Sequence, residues 1–156
     1  MLLAGANFVV FCLNFVKIMI FFKVTSVQQD HYSDKFVIYE HPGTSTVEFT
    51  GENFIMVDRK EEKHSEVQDT TLRFRTTSIS GLLFLAKSQL SLDTLELSLN
   101  GARVRIYVRI GHYEKEMVVG QSLNDDLWHT ITFRRRGNIF EGFIDDEEPK
   151  KGVLES

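Results

Sequence analysis

One cysteine, two prolines and one tryptophan are all that this 156-residue chain carries of those residue types. A single thiol, Cys12, excludes a disulfide within the chain and a cysteine-only metal cluster. Basic residues do not prevail: 18 Lys and Arg stand against 22 Asp and Glu, a formal charge of −4. That balance argues against nonspecific nucleic-acid binding, which needs a broadly cationic surface. Three catalytic or nucleotide signatures are missing: Gly-x-Ser-x-Gly, His-Glu-x-x-His and Gly-x-Gly-x-x-Gly. The histidines (His31, His41, His64, His112 and His129) show no metal-ligand spacing. No pair of carboxylates stands out as acid and base, so a polysaccharide hydrolase is disfavoured and no enzyme is expected.

What is present suits one globular domain. Hydrophobic residues make up 42% and charged residues 26%, outside the range of disordered chains. The composition is uneven. Leu2–Phe22 is nearly all apolar, broken by Asn7, Asn14 and Lys17. It approaches the roughly 20 residues of a membrane helix, and small residues follow at Val24-Thr25-Ser26. Residues 1–26 therefore read as a secretory signal peptide or a membrane anchor. The fit has faults, since no basic residue precedes the run and Lys17 falls inside it, so a buried strand or an artefactual first segment stays open beside the leader. Residues 27–45 are a mixed polar stretch, a linker or an extra strand around Phe36–Tyr39, with a turn at Pro42-Gly43.

From Thr46 the pattern changes to period two. Short strands are expected at Val47–Phe49 and Phe54–Val57, with the charged run Asp58–Lys63 as a solvated loop. Leu72 and Phe74 alternate with Thr71, Arg73 and Arg75, and Gly81–Ala86 is a continuous apolar strand. Leu95, Leu97 and Leu99 alternate with Thr94, Glu96 and Ser98, and Asn100-Gly101 closes a tight hairpin. The return strand sets Val104, Ile106, Val108 and Ile110 on one face, with Arg103, Arg105, Tyr107 and Arg109 on the other. Further strands are expected at Glu116–Val119, from His129 to Arg134, and at Ile139–Asp145, after a turn at Asn124-Asp125-Asp126 and with Gly137-Asn138 between the last two. One wet and one dry face per strand, with no long amphipathic helix, predicts an all-β antiparallel sandwich of two sheets.

A few residues invite chemistry. Arg103, Arg105 and Arg109, with Arg134, Arg135 and Arg136, propose a local basic face, which would suit an acidic partner or a sulfated glycan. The bland reading is a solvated exterior balanced by Glu96 and nearby acids. Trp128 reads as a core anchor. His129 reads as an amphipathic residue at a sheet edge or in a local hydrogen-bond network. Asp93, with Ser91 and Thr94 beside it, reads as a loop cap or as one ligand of Ca²⁺, a hard cation that takes several oxygens.

Taken in order, several segments resemble a laminin G-like domain of the neurexin and laminin adhesion family. They are Val47-Glu48-Phe49-Thr50-Gly51, Thr71-Leu72-Arg73-Phe74-Arg75-Thr76, Ser80-Gly81-Leu82-Leu83-Phe84 and Asp93-Thr94-Leu95-Glu96-Leu97-Ser98-Leu99-Asn100-Gly101. The most specific is Leu123-Asn124-Asp125-Asp126-Leu127-Trp128-His129-Thr130-Ile131. Arg134–Arg136 and Phe143-Ile144-Asp145 continue the series. The resemblance covers residues 46–156 and implies a jelly-roll sandwich that is incomplete at its C-terminal end, without the last strands and the closing disulfide. Val27–Tyr39 is the segment expected to compensate. It further implies a non-catalytic extracellular binding module of cell adhesion. The partner would be a receptor ectodomain met by rim loops, or alternatively a heparan sulfate-like glycan; a third possibility is a fragment with no independent function. It implies Ca²⁺ at a metal site made by the Asp93 carboxylate and the Ile110 carbonyl. The expected location is secreted or on the outer face of the plasma membrane, with membrane attachment only through residues 1–26 or a longer parent protein.

Overall fold

A strand places every second side chain on one face, and an apolar face must be covered by another layer. The computed structural model describes residues 6–11, 18–21, 46–49, 54–57, 67–88 and 91–154, with the backbone alone for the first four segments. These residues hold twelve strands: β1 (Ala6–Phe11), β2 (Ile18–Phe21), β3 (Thr46–Phe49), β4 (Phe54–Val57), β5 (Val67–Arg75), β6 (Ser80–Ser88), β7 (Thr94–Asn100), β8 (Arg103–Ile110), β9 (Tyr113–Val119), β10 (His129–Arg136), β11 (Ile139–Ile144) and β12 (Lys150–Val153). No described helix is long and apolar enough to cross a membrane. The strands form two six-stranded sheets, in the orders β4-β1-β6-β7-β8-β9 and β12-β11-β10-β5-β2-β3. Every pairing is antiparallel.

The alternating residues do what their spacing predicts. Leu95, Leu97 and Leu99 of β7 and Val104, Ile106 and Val108 of β8 are buried from one sheet. Leu72 and Phe74 of β5, Ile131 and Phe133 of β10, and Phe140 and Ile144 of β11 meet them from the other in one core. Gly142 of β11 faces Ile106 so closely that a Cβ there would overlap the Ile106 Cδ1 methyl. Glycine at this position lets the two layers close. The continuous apolar run in β6 has a local cause. Pairing with β7 shifts between Leu82 and Phe84, a bulge at Leu83, and Leu83 and Phe84 are both buried. An extra residue in one strand turns two successive side chains toward the same side.

The β7–β8 turn differs by one residue from the expected one. Asn100 pairs with Arg103, so the two turn residues are Gly101 (φ 60°) and Ala102 (φ 57°). Both angles are positive, as a type I′ hairpin requires. Ala102 tolerates this costly geometry because its main chain is tied on both sides. Its N–H donates to the Ile79 carbonyl at 2.8 Å, and its carbonyl accepts from the Leu123 N–H at 2.9 Å.

Strands β1, β2 and β12 lie outside the expected set. Ala6–Phe11 and Ile18–Phe21 fall within the span read as a leader, and each pairs with two strands in the interior of a sheet. Strand β12 has the sequence KKGV, with no alternation to announce it. It is held by pairing to β11 alone. The Lys150 ammonium also reaches the Val118 carbonyl at 2.7 Å, tying this edge to the other sheet. The stretch 27–45, with its strand at Phe36–Tyr39, and the charged run 58–63 lie outside the described residues.

Candidate functional site

The register of the first sheet assembles one rim of the sandwich. Thr94 pairs with Arg109, so the loop before β7 lies beside the end of β8 and the β8–β9 turn. Asp93, at the base of that loop, is only 3% exposed. It is anchored by its main chain: the Ser88 N–H donates to its carbonyl at 3.0 Å, and its own N–H donates to Ser91 Oγ at 3.3 Å. Its Oδ1 accepts the Gly111 N–H at 2.7 Å, which clamps the loop to the turn. Its Oδ2 is buried without a hydrogen-bond partner among the described residues. A buried polar atom left unpaired costs about 1–3 kcal/mol, and more when charged. Leu92, next to Asp93 in the chain and 53% exposed, and Tyr113, which pairs with Ile110 at the start of β9 and is 46% exposed, present apolar surface to solvent on this rim.

The two residues assigned to a metal are thus neighbours, but they are oriented differently. The Asp93 Oδ2 atom is a buried carboxylate oxygen with no hydrogen-bond partner among the described residues. Ile110 contributes its carbonyl to the same peptide unit whose N–H, from Gly111, points at Asp93. No peptide bond is cis, and in a trans peptide the C=O and N–H vectors are opposed. The Ile110 carbonyl is therefore directed away from the carboxylate. Among the described residues no three His, Cys, Asp or Glu side chains come together.

The arginines do not form one face. Arg103, Arg105 and Arg109 lie on the outer face of the first sheet, and Arg134 and Arg136 on the outer face of the second. Arg135 points inward and is buried. Period two in β10 forces this split, because neighbours in a strand face opposite ways. The outward arginines are also engaged. Arg105 bridges Glu96 at 3.2 Å and Glu116 at 2.7 Å. Arg103 donates to the Gly120 carbonyl, and Arg109 to that of Gly111. Arg136 forks onto both Asp69 carboxylate oxygens at 2.8 and 2.9 Å. In the second sheet Asp69, Arg134, Glu141 and Lys151 stand opposite one another in a row of alternating sign. That row lines an open cleft of about 450 Å³ with Arg136 and Ile139. The bland reading of these side chains, an exterior balanced by acids, is the one the geometry matches.

At the opposite rim lie the Gly101-Ala102 turn, the loop between β9 and β10, and the turn after β11. Trp128 is not a core anchor. It is half-buried, with the Arg73 and Arg75 guanidinium groups 5.1 and 5.7 Å from its ring centre. Arg73 and Arg75 alternate outward on β5, which places the indole on the polar side of the sheet, where cation–π contact replaces core packing. His129 is held in a local network, one of the readings of its position. Its Nδ1 lies 2.8 Å from Asp145 Oδ2 and its Nε2 lies 3.0 Å from Asp125 Oδ1. Burial pushes its pKa down, but the hydrogen bonds of Asp145 and Asp125 outweigh that and raise it above 6.5. Asp125 is held below its usual value, first by the Leu127 N–H and then by His129. Asp145 was legible only as a strand end. Its role depends on β10 and β11 being paired.

Residues 74–156, just over half of the chain, match the family model described as Laminin G domain. Neurexin 1 of Drosophila melanogaster is 39% identical over 92 residues, covering 58% of this chain and 5% of that protein. Neurexin-3a of Danio rerio is 32% identical over 112 residues, covering 66% of this chain and 7% of that protein. The chain therefore spans only a small part of the neurexins it matches. Among solved structures, the mouse laminin alpha1 chain, domains LG4-5, is similar with a TM-score of 0.56 and 17% identity, over 99% of this chain and 31% of that one. At that identity the likeness is one of fold.

Proposed function

This chain belongs to the laminin G domain family, whose members are non-catalytic extracellular modules of adhesion, and we propose that it binds a protein partner through the rim that carries Asp93. The observation behind this reading is the Asp93 Oδ2 atom, buried without a hydrogen-bond partner among the described residues, on the rim that also carries exposed Leu92 and Tyr113. Exposed apolar side chains on the same rim as a buried carboxylate provide both contact area and a reason for a cation. Ca²⁺ is the cation whose oxygen preference suits a lone carboxylate oxygen and main-chain carbonyls. Asp93 would hold it. Ile110 is the carbonyl that the family resemblance adds, although it faces away in the arrangement described above. A bound Ca²⁺ would neutralise the carboxylate and brace the loop before β7 against the β8–β9 turn.

Two measurements test this reading. In the first, Ca²⁺ added to the full chain after EDTA treatment is expected to raise the thermal midpoint. A ligand at a hundred times its Kd adds about 2.7 kcal/mol. Asp93→Asn, which keeps an acceptor for the Gly111 N–H, is expected to melt near the parent without Ca²⁺ and to lose the rise. An unchanged parent midpoint across the titration would end the calcium part of the reading. The second concerns the rim itself. Beads coated with the full chain are expected to attach to cultured cells, and Leu92→Ser with Tyr113→Ser should weaken attachment several-fold. Leu127→Ser, at the opposite rim, should leave it unchanged. Equal loss from both substitutions would move the binding surface away from Asp93.

A further inference from the structure

We propose that His129 is a pH-operated latch that holds the loop Leu123–Trp128 against the turn after β11. Both ring nitrogens lie within hydrogen-bond distance of carboxylate oxygens, Nδ1 at 2.8 Å from Asp145 and Nε2 at 3.0 Å from Asp125. An ionised carboxylate only accepts, and a neutral imidazole has a single N–H. The two contacts can therefore coexist as hydrogen bonds only when the ring is doubly protonated. Once the proton leaves, one ring nitrogen presents a lone pair to a carboxylate, and one side of the bridge is lost.

The two carboxylates are not equally free to move. Asp145 is fixed by two main-chain bonds to β10: its N–H donates to the Thr130 carbonyl at 2.8 Å, and its Oδ1 accepts the Thr130 N–H at 2.7 Å. Asp125 lies on the loop and is held by the Leu127 N–H at 2.8 Å within its own turn. Deprotonation therefore frees the Asp125 side and leaves the loop to its remaining ties, the Asp126 N–H to the Thr76 carbonyl at 3.1 Å and Arg75 to Asp126 at 3.4 Å. That loop is also strained, since Ser122 (φ 54°) and Asp126 (φ 62°) both occupy the left-handed region. It presents Leu127, 62% exposed, to solvent.

The other charged groups around His129 set the balance. From β5, Arg73 and Arg75 flank Trp128, and Arg75 also pairs with Asp126 at 3.4 Å. Burial opposes protonation of the ring, while Asp145 and Asp125 favour it. Phe74, also of β5, covers the ring with its centroid 6.0 Å away. The sign follows from the direction of the shift. A histidine whose pKa is raised in the latched state stabilises that state fully below its value in the released state, and the contribution is lost as pH rises through the higher latched value. The latch is closed in acid and opens on the alkaline side.

The test is NMR on the full chain between pH 5 and 9, with the His129 signals assigned by comparison with His129→Gln. Both ring nitrogens are expected to be protonated at pH 6.5, with a single titration above that value. Protection factors of the Asp126 and Leu127 amides should fall over the same interval, by roughly tenfold for each unit separating the latched and released pKa values. In His129→Gln that fall should be absent. Should His129→Gln fail to fold, Asp125→Asn serves instead, since Asp125 is exposed on the loop. It should lower the titration of His129 and flatten the amide profile while the Asp145 contact persists. A titration at or below 6.5, or amide protection that stays constant while His129 titrates, would overturn the latch.

Discussion

Removal of residues 1–26 is expected to abolish cooperative unfolding. Strand β1 stands between β4 and β6, and β2 stands between β5 and β3. Without them β3 and β4 lose their described strand partners, and each sheet shrinks to four strands: β6-β7-β8-β9 in one and β12-β11-β10-β5 in the other. The new edges are β5 and β6, which carry Leu72, Phe74, Leu83, Phe84 and Ala86 of the core. An edge strand with bare N–H and C=O groups over an apolar face is an aggregation site. Circular dichroism melts of the full chain and of residues 27–156 make the comparison. A sharp transition is expected for the first, and a broad or aggregating one for the second. Equal cooperativity in both would make β1 and β2 dispensable and return the apolar span to the leader or anchor reading.

The second large effect is expected at Phe133. Its ring is fully buried in the middle of β10, where it lies opposite Gly142 on one side and Thr70 on the other. It packs against Phe140 with the ring centres 6.1 Å apart. The core touches it from both sheets, so the site cannot collapse around a smaller side chain. Phe133→Ala is expected to cost about 3–5 kcal/mol, a drop in Tm of roughly 6–20 °C. Against a domain stability of about 5–15 kcal/mol, that places the chain near its unfolding threshold. Phe143 is the control. It sits half-buried on the outer face of β11, under the Arg134 guanidinium at 5.2 Å. Phe143→Ala should cost about 1 kcal/mol or less. Equal midpoints for the two variants in denaturant titrations would mean that the core is not organised around β10.

Local pattern carried much of the architecture. Period two is a property of neighbouring residues, and β7, β8, β10 and β11 were legible because their apolar residues alternate with polar ones. The Gly137-Asn138 turn was legible for the same reason, since turn conformation is set by the residues in it. Strand β12 was not legible, because KKGV has no period and is a strand only through its neighbour β11. The apolar span at the N-terminus was ambiguous in principle. A run of apolar residues suits a leader, a membrane helix or the interior of a sheet equally, and only pairing with distant strands distinguishes them.

The sites divide along the same line. Sequence alone determined an all-β antiparallel sandwich, because period two depends on residue types and their spacing; it also carried the resemblance to a laminin G domain and singled out Asp93. Tertiary structure decided the rest. It separated the arginines onto opposite faces, moved Trp128 from the core to a cationic surface, and turned the Ile110 carbonyl away from Asp93. It also brought Asp125 and Asp145, twenty residues apart, onto the two nitrogens of His129. Each of those outcomes depends on which strand lies beside which and on the direction of one peptide plane. Such relations join residues far apart in the chain, and local spacing carries no information about them.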